Sequence, residues 1–369
     1  MIRVMIVDDS ALVRRIASDI LTSDPEIQVV ATAAQAEFAL PKLEKERPDV
    51  ITLDLEMPGM GGLEAIRRIM ATHPTPIVVL SAHAQKGAEL TLQALDLGAV
   101  DFVLKPSNSL SGGIPVIAKE LIEKVKIAAR VVFRGGLGAA TPAAGGAPRE
   151  PLPPPVPEAP VRVAPPSREG FEYELVAIGT STGGPVALKT VLTMFSGDLP
   201  VGIVVVQHMP PVFTRAFAER LNSCCRIAVK EAENGDPILP GRVLLAPGNW
   251  HMTVSRFGKE PRVLLHQEEN VNGHRPSVDV LMHSVAREYG GRAIGVIMTG
   301  MGKDGAEGLH ELRKRGGHVI AQNKESSVIY GMNKEVVQNG DAHEVIPVEV
   351  IGARIQERLR GRTPARKAV

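Results

Sequence analysis

The strongest constraint on this chain is a strict alternation of short apolar runs with amphipathic segments, broken once by a proline-rich stretch. Residues 3–7, 29–32, 50–53, 77–80 and 102–104 are apolar and strand-sized. Between them, Leu12, Ile16 and Ile20 recur at four-residue steps, and Ile114, Ile117, Leu121 and Val125 form the stripe of a further helix. Strands that alternate with helices are joined by crossovers, which makes neighbouring strands parallel and covers both sheet faces. The pattern resumes at 175–178, 202–206, 242–245, 263–266, 293–298 and 318–321. Helices are expected over 185–195, along the Phe213, Phe217, Leu221 stripe, and along Val278, Leu281, Met282 and Val285, with a hairpin around 250–265. The two halves share an architecture and no motif. The predicted fold class is α/β, with two doubly wound parallel-sheet domains, the first flavodoxin-like and the second Rossmann-like.

The break lies at 134–170, which holds ten of the chain's 29 prolines and no aromatic residue. Such a segment buries too little apolar surface to offset its ordering entropy, so it reads as a linker. The domains are then 1–133 and 171–369. Lys and Arg number 42 against 41 Asp and Glu, and aromatics are 3%. That balance lacks the basic excess and stacking platforms of a nucleic-acid binder. No apolar run approaches the roughly 20 residues of a membrane span, so no direct membrane insertion is expected. The two cysteines, Cys224 and Cys225, are adjacent and make neither a disulfide framework nor a zinc site. The expected location is cytoplasmic.

In an open parallel sheet, ligands bind beyond the carboxyl ends of the strands. In the first half those ends carry Asp8 and Asp9, then Asp54, then Ser81, then Lys105 and Pro106. Carboxylates that close repel one another unless a hard cation neutralises them, and oxygen ligands suit Mg²⁺. A carboxylate beside Mg²⁺ and a lysine can accept a phosphoryl group, with Ser81 bonding one of its oxygens.

In the second half the strand ends carry Ser181 within Gly179–Gly184, then His208, then Asp304. A serine hydroxyl needs a base to become a nucleophile, the base is best an imidazole, and the imidazole needs an orienting carboxylate. Glycines around Ser181 let backbone N–H groups approach a developing oxyanion at a helix N-terminus. The order Ser, His, Asp differs from the Ser, Asp/Glu, His of α/β-hydrolases, and the loop lacks the spacing of dinucleotide and Walker phosphate loops. His251, His274 and His283 are alternative bases.

Val7-Asp8-Asp9-Ser10, Asp54-Leu55-Glu56-Met57-Pro58, Gly98-Ala99-Val100-Asp101-Phe102 and Lys105-Pro106 resemble the receiver domain of two-component response regulators. That resemblance implies phosphorylation at Asp54, Mg²⁺ held by Asp9 and Asp54 with Asp8 nearby, and switching through Ser81, Phe102 and Lys105. Gly61-Gly62 stands where many receivers have Asp-Gly. Ile178 to Gly184, Gln207-His208-Met209, Gly273 to Asp279, Met298 to Gly305 and Tyr330-Gly331-Met332 resemble the chemotaxis protein-glutamate methylesterases. The resemblance implies Ser181 as nucleophile, His208 as base and Asp304 as orienting acid, with Thr182 and Met301 lining the site. It implies methylated chemoreceptors as substrate, glutamine deamidation as a second reaction, a histidine kinase as phosphodonor and no cofactor for the hydrolysis. Lys303 and Asn333 depart from residues frequent in that family.

Overall fold

The computed structural model describes residues 1–82, 85–105, 113–131, 173–256 and 260–360. Pro106 and the expected linker lie outside the described residues. The N-terminal unit runs β1 (Ile2–Val7), α1 (Ala11–Thr22), β2 (Ile27–Ala33), α2 (Ala36–Glu46), β3 (Val50–Asp54), α3 (Gly61–Thr72), β4 (Ile77–Ser81), α4 (Gln85–Asp96), β5 (Asp101–Leu104) and α5 (Gly113–Ala128). Every expected strand is present. The order β2-β1-β3-β4-β5, all parallel, is the flavodoxin-like order, whose switch point lies between β1 and β3. Alternate strand residues serve opposite faces. Val4, Ile6 and Val78 pack with Leu21, Leu121 and Val125, while Met5, Val7 and Val79 pack with Leu43, Ile66 and Leu92.

The C-terminal unit runs β6 (Leu175–Thr180), α6 (Gly184–Leu192), β7 (Gly202–Gln207), α7 (Phe213–Cys224), β8 (Ala228–Glu231), β9 (Arg242–Leu245), β10 (His251–Ser255), β11 (Arg262–His266), α8 (Val278–Glu288), β12 (Ala293–Ile297), α9 (Ala306–Lys314), β13 (His318–Gln322), α10 (Met332–Gln338), β14 (Glu344–Ile346) and α11 (Val348–Leu359). Seven strands form a parallel sheet in the order β14-β13-β12-β6-β7-β9-β8, which reverses direction between β12 and β6. The run at 263–266 does not join that sheet. It pairs antiparallel with β10, as the expected hairpin.

The two units pack against each other. Asp96, at the end of α4, accepts from Lys189 of α6 at 3.0 Å and from Arg220 Nε of α7 at 3.1 Å. The Phe102 ring stacks on Phe213, with centroids 4.6 Å apart and planes 12° apart. One hydrophobic cluster therefore runs from the first sheet through Leu95, Phe102 and Phe213 to Ile178 and Val205 of the second.

Candidate active site

Register sets the site. β6 pairs with β7 so that Thr180 faces Gln207, which places Ser181 and His208 side by side at the carboxyl edge. β12 lies on the other side of β6, and its following loop carries Asp304. The three residues sit around the point where strand order reverses, and Ser181 and His208 line one cavity of about 770 Å³. The Ser181 loop is held open for this purpose. Gly183 takes φ +76°, which favours glycine, and a Cβ on Gly184 would lie 2.0 Å from Gln207 Oε1, so a side chain there must displace the Gln207 amide. Gln207 in turn donates to the Ser181 carbonyl at 2.9 Å. The Ser181 N–H donates to the Thr299 carbonyl at 3.0 Å and is not free for an oxyanion. The Thr182 and Gly183 N–H groups have no backbone acceptor among the described residues.

His208 Nε2 lies 2.7 Å from Asp304 Oδ2. His208 Nδ1 is buried and has no hydrogen-bond partner. With Nε2–H donated to the carboxylate, Nδ1 carries the lone pair. Asp304 sits at the N-terminus of α8. It accepts from the Val278 N–H at 2.7 Å, the Asp279 N–H at 3.2 Å, Ser277 Oγ at 2.7 Å and Asn272 Nδ2 at 3.0 Å. Burial raises the affinity of that carboxyl for a proton, but the bond and charge of His208, with Asn272 and Val278, outweigh it and hold Asp304 below the usual carboxylate range. A helix N-terminus favours an anion for the same reason. Asp279, 3% exposed, is raised, with burial the leading cause, and shares the Asn272 amide at 2.8 Å.

The other histidines separate cleanly. His251 is fully buried, with Nδ1 accepting from the Ser277 N–H at 3.2 Å and Nε2 facing the Glu269 carbonyl at 3.0 Å. His283 pairs with Glu311 at 2.6 Å on the flank of α8. His274 stacks on His208, centroids 3.8 Å apart and planes 14° apart. Burial, then the charge of His208, pushes its imidazole down to about 4, with Lys124 adding and Asp304 opposing. Met301 is 39% exposed and lines the cavity, as Thr182 does. Lys303 is exposed, and Asn333 donates to the Gln322 carbonyl and to Ser327, both at 2.8 Å.

Part of the cavity wall comes from the N-terminal unit. Thr182 Oγ1 donates to Asp101 Oδ2 at 2.6 Å. Lys124 of α5 holds Asp101 at 3.2 Å and lies 5.0 Å from the Phe102 ring centroid. Neither Asp101 nor Asn272 carries a signal in the sequence beyond its place in or beside a motif.

The N-terminal acidic cluster forms as expected. Carboxylate oxygens of Asp8, Asp9 and Asp54 all lie within 4.8 Å of one another. Lys105 Nζ bridges Asp54 at 2.7 Å and Asp8 at 3.0 Å. Burial pushes the Asp8 carboxyl up, and Lys105 only partly offsets it. Hard oxygen donors this close fit a small divalent cation. Ser81 accepts from Thr91 Oγ1 at 2.7 Å, on the same edge. A Cβ on Gly62 would meet the Asp54 carbonyl at 2.5 Å, so the departure pair keeps glycine where the backbone needs it.

Among the described residues, no helix is long and apolar enough to cross a membrane. Residues 4–111 match the family described as response regulator receiver domain, and residues 176–355 match the family described as CheB methylesterase. A protein-glutamate methylesterase/protein-glutamine glutaminase of Syntrophotalea carbinolica is 44% identical over 98% of both chains. One of that description from Symbiobacterium thermophilum is 47% identical over 95% of both. The solved CheB methylesterase catalytic domain of Thermotoga maritima is 40% identical, covers 50% of this chain and 98% of its own, and superposes with a TM-score of 0.49. Identity of this depth along nearly the whole of two such relatives, with both family matches in the same order, means that the chain belongs to the CheB methylesterases that carry an N-terminal receiver domain.

Proposed function

We propose that this chain is a phosphorylation-controlled protein-glutamate methylesterase that also deamidates glutamine, acting in the cytoplasm on the signalling helices of chemoreceptors. Its domains are a receiver at 1–133, a linker at 134–170 and the hydrolase at 171–369. The observation that supports the reading is the unpartnered Nδ1 of His208, a residue at the strand end next to that of Ser181, with Asp304 holding the other ring nitrogen. Ser181 Oγ attacks the ester carbonyl as His208 Nδ1 takes its proton. That proton leaves with methanol, and water then resolves the glutamyl-enzyme by the same route in reverse roles. An amide follows the same path with ammonia as leaving group. The N–H groups of Thr182 and Gly183, which lack a backbone acceptor among the described residues, would serve as donors to the oxyanion.

In the receiver, Asp54 accepts the phosphoryl group from a histidine kinase. Asp8, Asp9 and Asp54 would hold Mg²⁺, which supplies countercharge for the incoming phosphoryl. Lys105 neutralises the same oxygens, and Ser81 and Phe102 relay the change. Phosphorylation weakens the packing of the receiver over the hydrolase site, and no new catalytic group is created. The test is methanol release from methylated receptor membranes. Ser181→Ala and His208→Ala should each lose on the order of 10⁴-fold or more, without adding. Near-normal release by His208→Ala with loss in His251→Ala or His274→Ala would reassign the base.

A further inference from the structure

The Ser181 turn spends its backbone donors unevenly. The Ser181 N–H goes to the Thr299 carbonyl at 3.0 Å, and the Gly184 N–H goes to the Ser181 carbonyl at 2.8 Å. The Thr182 and Gly183 N–H groups have no backbone acceptor among the described residues, although both residues are buried and line the cavity. Most buried N–H groups of a folded chain are paired, so two unspent donors in a row ask for a cause. The cause lies in the carbonyls of the same two peptides, each of which is tied to a buried side chain. A trans peptide is planar, so its C=O and the N–H of the next residue point in opposite directions. The Ser181 carbonyl shares a plane with the Thr182 N–H, and it accepts from Gln207 Nε2 at 2.9 Å. The Thr182 carbonyl shares a plane with the Gly183 N–H, and it accepts from Thr299 Oγ1 at 3.0 Å. Both side chains are fixed in turn. Gln207 is 2% exposed, and its amide nitrogen also donates to the His208 carbonyl at 3.0 Å, so a flipped amide would set oxygen against two carbonyls. Thr299 Oγ1 is buried and accepts the Ile329 N–H at 2.9 Å, which leaves its one proton to the Thr182 carbonyl and, at 3.2 Å, the Ile329 carbonyl.

We infer that Gln207 and Thr299 are positioning residues of the hydrolase: by gripping the carbonyls of two successive peptides, they hold the Thr182 and Gly183 N–H groups in the fixed orientation of an oxyanion pair. This rests on Ser181 being the nucleophile, and it deepens that reading. The two side chains act through the backbone. Donors that are aimed before charge develops need no reorganisation when the carbonyl oxygen becomes an oxyanion. The gain is made in the transition state and not in the bound ester, so it belongs to kcat and leaves KM alone.

The experiment uses the full chain on methylated receptor membranes and reads methanol release, with urea melts on the same samples. Thr299→Val keeps the branched shape and the backbone bonds of Thr299 and removes its hydroxyl. Gln207→Met keeps the length and removes both amide donors. Each should lower kcat at least about five-fold, and at most by the ~10²–10³-fold that follows outright removal of an oxyanion donor. KM should stay within about two-fold, and the ratio of rates with and without a small-molecule phosphodonor should match the native chain. Thr299→Ser, which retains the hydroxyl, should return kcat to within about three-fold of native. A smaller loss in a folded Thr299→Val or Gln207→Met chain strikes that residue, and in both it overturns the inference, while the methylesterase reading stands as long as Ser181→Ala is dead. A loss carried by KM, or Thr299→Ser as slow as Thr299→Val, makes the role structural and overturns it too. Where one variant does not fold the other decides, and failure of both to fold again makes the role structural. Methanol release that survives Ser181→Ala overturns the nucleophile and the inference together.

Discussion

Replacing Asp304 by Asn changes one atom's chemistry and should disable the site through a proton in the wrong place. Both carboxylate oxygens face donors only. Oδ2 faces His208 Nε2 and the Val278 N–H, and Oδ1 faces Asn272 Nδ2, Ser277 Oγ and the Asp279 N–H. An asparagine must turn its NH₂ towards one of these sets. Towards His208, the imidazole satisfies it only by moving its proton to Nδ1, the nitrogen that must accept from Ser181. Towards Asn272, two NH₂ groups meet, and Asn272 cannot flip because its amide also serves Asp279 at 2.8 Å. In either orientation a buried backbone N–H of the α8 N-terminus loses its acceptor, which costs about 1–3 kcal/mol of stability. In Ser-His-Asp triads the wrong tautomer costs about 10⁴ in kcat, or about 5.5 kcal/mol of transition-state stabilisation. The assay is methanol release at saturating receptor, with urea melts run on the same samples. Ser277→Ala is the control: it removes one donor and leaves the imidazole tautomer alone, so turnover should stay within about ten-fold. Asp304→Asn retaining more than a tenth of native kcat would refute the argument.

His274 is pushed down to about 4, whereas an unfolded chain's imidazole titrates near ~6.5. The unfolded state therefore binds a proton first, and stability present above about pH 6.5 is lost as pH falls towards 4, by up to about 3 kcal/mol. His274→Phe should lose correspondingly less between pH 7 and 4.5 in urea titrations; parallel losses would sink the assignment. Phe102→Leu removes a ring stack worth about 0.5–1.5 kcal/mol, so basal methanol release should rise about two- to thirteen-fold, and an unchanged rate would argue that the stack does not hold the units together. Asp54→Ala should keep basal release low and abolish the response to a small-molecule phosphodonor, while the fragment from Gly170 onward should be fast and unresponsive. A fragment slower than the full chain would make the receiver an activator.

The alternation of apolar runs was enough to place both parallel sheets, because strands buried on both faces cannot hide in the sequence: β3 and β4 are buried at every position. Edge strands are less visible. β8 reads Ala-Val-Lys-Glu and is only half-buried, and β14 has three residues, so neither shows an apolar run. Strand-end reading singled out Ser181, His208 and Asp304, and the topology gathers those strand ends, with His208 and Asp304 2.7 Å apart. It missed Asn272, which reaches Asp304 from a loop at φ +53°, since nothing local marks a side chain whose partner lies 32 residues on. Asp101 was equally silent: its partner Thr182 lies 81 residues away on another unit.

That last contact explains how one short strand can connect the two sites. β5 ends beside Lys105, whose ammonium bridges Asp54 and Asp8, and begins with Asp101 and Phe102, which touch Thr182 and Phe213. In the proposed switch, a phosphoryl group on Asp54 would add charge where Lys105 already sits, and the end of β5 would readjust. The polar and ring contacts between the units, those of β5 together with the Asp96 ion pairs of α4, are each modest. A half-exposed ion pair contributes about 0–1 kcal/mol, a ring stack about 0.5–1.5, and a hydrogen bond to a carboxylate about 1.5–3. Together these amount to a few kcal/mol, the same scale as the roughly 5.5 kcal/mol needed to carry an equilibrium from 1:99 to 99:1. A bare tether would leave the site open. Asp101→Ala tests the balance, because it removes the strongest of these contacts without touching the phosphorylation pocket. Basal methanol release should rise by about ten-fold or more, and the further gain on adding phosphodonor should shrink to match. A normal basal rate with a full response would mean that β5 does not carry the signal.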